Sequence, residues 1–202
     1  YSELYAYQVA QVMGVNAIRY TLTKDLKKTL CSKCELFTSK EYSYLPIGQL
    51  VPKGGMKAIR EYYMELGQPF VDALEDMLVF DAVICNTDRH LGNFGVLVDN
   101  KTNKIAAPAP LFDHGNSLFS LGGTDIWDDP KAFEEYAATL LPLAYDDFFA
   151  EAKSVLKPRH RAMLHKLLDF RFDRRATRYN LPPKRLKMIE KEVQRRARVL
   201  LG

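Results

Sequence analysis

No stretch of this 202-residue chain approaches the ~18 consecutive apolar residues of a spanning helix, and no basic segment followed by an apolar run opens it. Neither a membrane span nor a secretory signal is therefore visible. Cysteine is scarce: three residues are too few, and odd in number, for a disulfide framework, so the expected setting is reducing and cytoplasmic. Fixed-period repeats and low-complexity tracts are also missing, which argues against solenoids and biased linkers. What is present is ordinary for a globular chain, 47% hydrophobic and 27% charged, and long enough to bury a core without metal or disulfide staples.

Charge is unevenly shared. Residues 151–202 sum to +11, while residues 1–150 sum to −7. A basic C-terminal end permits direct nucleic-acid contact or an acidic partner. The reading to prefer is a solvated helix face, because its Lys and Arg alternate with an apolar helical pattern.

Helical and strand periods divide the chain. Ser2 and Glu3, followed by Leu4, Tyr7, Gln8, Val9, Val12 and Met13 and stopped by Gly14, predict a capped amphipathic helix. Residues 15–22 and 29–37 favour strands and are joined by the polar residues 23–28, which predicts an antiparallel hairpin. Helical patterns return over 57–66 and 69–85, the second with Leu74, Met77, Leu78 and Ile84 along one side. A second hairpin is expected from residues 94–98 and 105–112, turning at 99–103, and the chain from Pro130 onward reads as helical. Together these give an α+β plan: a small partial N-terminal lobe of one helix plus antiparallel strands over residues 1–45, and a mostly helical C-terminal lobe over 46–202.

Polar chemistry gathers around the second hairpin. Cys85-Asn86-Thr87-Asp88-Arg89-His90-Leu91-Gly92-Asn93-Phe94 lies between an apolar helix and a strand, and the returning strand ends in Pro110-Leu111-Phe112-Asp113-His114-Gly115. A hairpin brings its two ends together, so Asp113 should approach Asn93 and Asp88. Two carboxylates and an amide oxygen are hard donors of the kind that suit Mg²⁺, which takes few protein ligands and completes its shell with phosphates and water.

The spacing Asp88-x-x-x-x-Asn93, then a hairpin, then Phe112-Asp113-His114-Gly115, resembles the catalytic loop and metal-binding motif of protein-kinase-like enzymes. With Asp-Arg-His and Asp-His-Gly it most resembles the HipA-like serine/threonine kinases, and more distantly the phosphoinositide kinases. The resemblance implies a protein-kinase-like fold, ATP and Mg²⁺ as cofactors, and phosphoryl transfer to a protein Ser/Thr hydroxyl. It implies Asp88 as the catalytic aspartate, Asn93 and Asp113 as metal ligands, and His90 as a phosphate contact or loop brace. Arg89 is left without a role. The backbone of Glu35 and Phe37 would be the adenine hinge, Phe94, Leu111 and Phe112 the apolar walls, and Glu3 the small-lobe glutamate that pairs with a phosphate-binding lysine. It further implies a protein substrate and a DNA-binding, antitoxin-like partner. The family's glycine-rich loop and lysine precede that glutamate, and only Tyr1 and Ser2 do so here, so the expectation is a fragment of a longer kinase.

Other readings stay open. Asp88 and Asn93 alone could be turn and cap residues. His114 could touch phosphate or simply support the fold. Cys31-Ser32-Lys33-Cys34 is a poor zinc site, since on a strand its two thiols face opposite ways. Cys85 reads as a small core residue, and Tyr42, Tyr44, Tyr62 and Tyr63 as packing groups. A lipid or small-molecule kinase, and a non-catalytic nucleotide- or partner-binding module, are the alternative functions.

Overall fold

In the computed structural model, which describes residues 1–202, α1 spans Ser2–Met13. Gly14 ends it with φ 84°, its N–H returned to the carbonyl of Ala10, a left-handed stop that a Cβ would disfavour. The start differs from expectation: Tyr1 is the N-cap, and no side chain caps the helix.

The first hairpin is shorter than its apolar pattern. β1 (Tyr20–Lys24) pairs antiparallel with β2 (Leu30–Cys34), Tyr20 opposite Cys34. Asp25 holds the turn by accepting the Thr29 N–H at 2.8 Å. Residues 15–19 are strand-like but spend their backbone elsewhere. Ile18 N–H donates to the Leu111 carbonyl at 2.8 Å, and Leu111 N–H to that of Asn16 at 2.9 Å. The segment after α1 is thereby fastened to the approach to Asp113.

A strand that local pattern did not predict, β3 (Tyr42–Pro46), pairs with β4 (Gly95–Asp99), which pairs in turn with β5 (Lys104–Pro108). The boundary expected at residue 45 thus falls inside a strand that joins the second hairpin's sheet. Gly95 is needed where β3 crosses, because a Cβ there would sit 2.2 Å from the Leu45 carbonyl oxygen. β5 stops at Pro108 rather than running to Phe112. Pro108 and Pro110 have no N–H to extend the ladder.

The short α2 (Ile47–Leu50) and α3 (Gly55–Leu66) lead to α4 (Gln68–Ile84), whose buried side chains lie on every side, the mark of a central helix. Around it stand α5 (Pro130–Thr139), α6 (Phe148–Val155), α7 (Pro158–His165) and α8 (Pro183–Leu201). Pro130, Pro158 and Pro183 each sit in the first helical turn, where a missing N–H costs nothing. Residues 140–147 and 166–182, expected to be helical, are largely turns and irregular chain.

α8 turns Leu186, Ile189, Val193, Ala197 and Leu200 into the core. Its two acidic residues also face inward, Glu190 at 1% exposure and Glu192 at 4%. Lys184, Lys187, Lys191, Arg195 and Arg198 remain outside. Arg196 does not belong to that outer set. It is buried, donating to the Ala82 carbonyl at 2.8 Å and to Cys85 Sγ at 3.1 Å, with Glu192 Oε1 3.3 Å from its Nε. No helix is long and apolar enough to cross a membrane.

Candidate active site

α4 ends at Cys85, which adopts φ 53° and lets the chain reverse into the Asn86–Asn93 turn. Asp81, one helical turn earlier, is the only charge in its apolar run and is fully buried. A carboxylate there needs partners. It receives Arg89 through two bonds, Nε to Oδ2 at 2.9 Å and Nη2 to Oδ1 at 3.0 Å, and Asn86 Nδ2 at 3.2 Å.

Arg89, itself 0% exposed, spends the rest of its fork on the two motif segments. Nη1 donates to the carbonyls of Asn93, at 2.9 Å, and Phe112, at 2.7 Å, while Nη2 meets His114 Nδ1 at 3.2 Å. A planar guanidinium can hold several acceptors at fixed angles, which a lysine could not do. Burial works against its charge, but Asp81 outweighs that and raises its pKa. His114 is driven the other way: burial first, then the Arg89 cation, hold its imidazole well below the usual range. It is a neutral acceptor for Arg89.

The arginine therefore draws the Asp88–Asn93 turn and the Asp113 turn together. Asn93 Nδ2 donates to the Asp88 carbonyl at 3.2 Å, leaving Oδ1 as the amide atom free to bind a cation. Asp113 sits in the left-handed region at φ 55°, with its N–H donated to the Tyr20 hydroxyl at 3.2 Å. Glu3 Oε2 accepts the His114 N–H at 3.0 Å. A Cβ built on Gly115 would lie 3.7 Å from Asp113 Oδ1 and 3.9 Å from Glu3 Oε1, so both carboxylates flank that glycine. Burial, opposed by the His114 N–H and reinforced by Asp113, pushes the Glu3 carboxyl up to about 7.

The remaining expected residues divide. Phe37 and Phe112 meet at 5.1 Å between ring centroids, and Tyr44 stands edge-on to both at 5.5 and 5.2 Å. Tyr44 also ties the turn down by donating its hydroxyl to the Gly92 carbonyl at 2.9 Å. Phe94 and Leu111 lie in the core, and Glu35 is exposed on the link between β2 and β3. His90 is exposed, its Nδ1 accepting the Gly92 N–H at 3.0 Å, which makes it a brace of its own turn. Asp88 keeps a half-exposed carboxylate whose Oδ2 accepts Asn116 Nδ2 at 2.9 Å.

Sequence reasoning missed Asp81, Arg89 as organiser, Tyr20 and Asn116. Asp81 did leave a signal, a lone acid inside Met77-Leu78-Val79-Phe80-Asp81-Ala82-Val83-Ile84. Asn116 left none, since it lies in a segment readable only as loop. Cys31 and Cys34 lie on β2 as free thiols, and no group of three or more His, Cys, Asp or Glu side chains is gathered for a metal.

No protein-family model matches the chain, and no curated protein matches it by sequence. Its fold is similar to the crystal structure of the Helicobacter pylori proinflammatory kinase CtkA, with a TM-score of 0.70 at 16% identity, over 99% of this chain and 84% of that one. The chain thus has a kinase-like fold.

Proposed function

We propose that this chain is the catalytic body of an ATP-dependent phosphotransferase of HipA-like type, acting on a protein Ser or Thr hydroxyl. The observation that supports this reading is the Arg89 fork, which binds the Asn93 and Phe112 carbonyls at once and so ties the Asp88–Asn93 turn to the segment that leads into Asp113. Asp88 would orient the acceptor hydroxyl and accept its proton as the oxygen attacks the γ-phosphorus and ADP departs. Asn93 Oδ1 and the Asp113 carboxylate would hold Mg²⁺. They fit it: the Asn93 amide is already turned by its bond to Asp88, and the nearest arginine is consumed by Asp81. Bound there, the ion would supply neutralisation of phosphate charge. The link at Glu35 and Phe37 would offer backbone groups to adenine, with the Phe112 ring packed against that of Phe37. Glu3 would couple α1 to the Asp113 turn through the His114 N–H.

The test is calorimetric Mg·ATP binding by the whole chain, followed by transfer from labelled ATP to dephosphorylated casein and to mixed phosphoinositide vesicles. Asp113→Asn should lose binding. Asp88→Asn should keep binding and lose transfer by roughly 100-fold or more. Full transfer by Asp88→Asn would overturn the assignment, and label on lipid alone would select the lipid-kinase alternative.

A second reading, a polyanion-binding module with a nucleic-acid or DNA-associated partner, draws on the outer face of α8. There every exposed charged side chain of the helix is basic, beside a 450 Å³ groove lined by Phe133, Met188, Lys191 and Arg198 and also by Glu134 and Glu192. Retention on duplex DNA that vanishes with salt, without Mg·ATP binding, would favour it.

A further inference from the structure

The segment after Asp113 is held in an uncommon shape. Leu118 and Phe119 follow one another with φ 51° and 62°, a left-handed pair with no glycine. Such geometry is strained for residues with a Cβ and persists only where packing enforces it. Here both side chains are buried, the Leu118 N–H reaches the Ile84 carbonyl at 2.7 Å, and Ser117 Oγ donates to the His114 carbonyl at 2.7 Å.

What this segment presents is Asn116. Its carbonyl accepts two bonds from Thr87, N–H at 3.1 Å and Oγ1 at 3.0 Å, which dock it against the residue preceding Asp88. Its side-chain amide then donates to Asp88 Oδ2 at 2.9 Å. The main chain fixes where Asn116 stands, and the side chain is left to act on the carboxylate. Filling Oδ2 leaves Oδ1 as the oxygen for an incoming hydroxyl, in a plane set by the amide.

We propose that Asn116 is the positioning residue of Asp88, aiming one carboxylate oxygen at the acceptor hydroxyl and tying that aim to the fold of residues 113–119. The inference rests on the phosphotransfer reading of Asp88. Both Thr87 bonds use the Asn116 carbonyl, so substitution of the side chain spares them. Asn116→Ala removes the donor, and Asn116→Asp, of the same shape, sets a second carboxylate against the first.

The experiment measures kcat and KM for ATP in ADP release with dephosphorylated casein as acceptor, together with Tm and Mg·ATP affinity. Asn116→Ala should lower kcat roughly 10- to 100-fold, as expected for a hydrogen bond to a charged group, while KM for ATP and Tm stay near wild type. Asn116→Asp should lose at least as much. The Asn116 side-chain amide resonances should also move in an Asp88→Asn protein. Unchanged kcat, a drop in Tm that accounts for the loss, or amide resonances blind to Asp88 would each overturn the proposal. Wild-type protein with no ATP turnover would instead overturn the phosphotransfer reading, and this assignment with it.

Discussion

Arg89 and Arg196 both bind the end of α4 in the interior, while the outer face of α8 carries the same kind of charge in water. Arg89 grips Asp81 from the turn beyond the helix, and Arg196 reaches in from α8 to the Ala82 carbonyl and Cys85 Sγ. Neither guanidinium is free, and each organises a backbone that would otherwise end in unpaired groups. Lys187 and Lys191, by contrast, are exposed and form no ion pair. One composition therefore hides two jobs: charge that builds the site, and charge that remains available to a partner.

The sharpest way to break that contrast is to remove a buried guanidinium. Arg89→Ala would leave Asp81 uncompensated and free the Asn93 and Phe112 carbonyls together. Loss of one partner of a buried pair costs about 3–5 kcal/mol, a fall in Tm of roughly 10 °C for a chain of this size. Thermal melting with and without Mg·ATP checks it. Nucleotide binding should fail even below the melting range, because the two motif segments lose their common tie.

How much of this was legible follows from where each partner lies. Gly14, the apolar sweep of α4 and the apolar period of α8 are local, and α1, α4 and α8 stand close to where those signals put them. Asp88, Asn93 and Asp113 were singled out as candidates because they fall in two short motifs, Asp88-x-x-x-x-Asn93 and Phe112-Asp113-His114-Gly115, on either side of a hairpin. β3 was not, for its partner β4 lies some fifty residues on and Tyr44-Leu45-Pro46 resembles the lead into a helix. Arg196 adds to the basic count of the C-terminal segment, yet it falls in register with Ile189, Val193 and Leu200, the spacing of the buried face. The organising role of Arg89 was invisible because the two motif segments it ties are held by their carbonyls, which carry no residue signature.

A smaller effect sharpens the buried side of the comparison. Glu3 and His114 touch through one backbone bond and are shifted in ways that oppose each other in acid. Glu3, raised from 4.5 to about 7, holds more protons folded than unfolded across that window, so its contribution to stability falls as pH rises through it. His114, held well below 6.5, holds fewer, so its contribution falls as pH drops below 6.5. The two partly cancel in mild acid. Glu3→Gln, which keeps an acceptor for the His114 N–H, should raise Tm at pH 8 and change it little at pH 4. The exposed slope of His114 would then make stability climb as pH rises toward 6.5. A parallel shift at every pH would mean that Glu3 is ionised throughout.

The smallest stability effect belongs to the outer face, and its smallness is the point. Lys187→Gln and Lys191→Gln touch no carboxylate, so the doubly substituted protein should melt within the few tenths of a kcal/mol usual for exposed sites. Arg89→Ala sets the opposite extreme. If the outer charge serves a polyanionic partner, the same pair should weaken retention on duplex DNA and lower its salt dependence by about two counterions, one per lysine removed. Should the double variant lose stability on the scale of Arg89→Ala, the lysines would be structural too, and the division between charge that builds and charge that is offered would collapse. Should it leave both stability and retention untouched, the outer face is solvated surface, and the basic excess of the C-terminal segment is explained by solubility and by the interior work of Arg196.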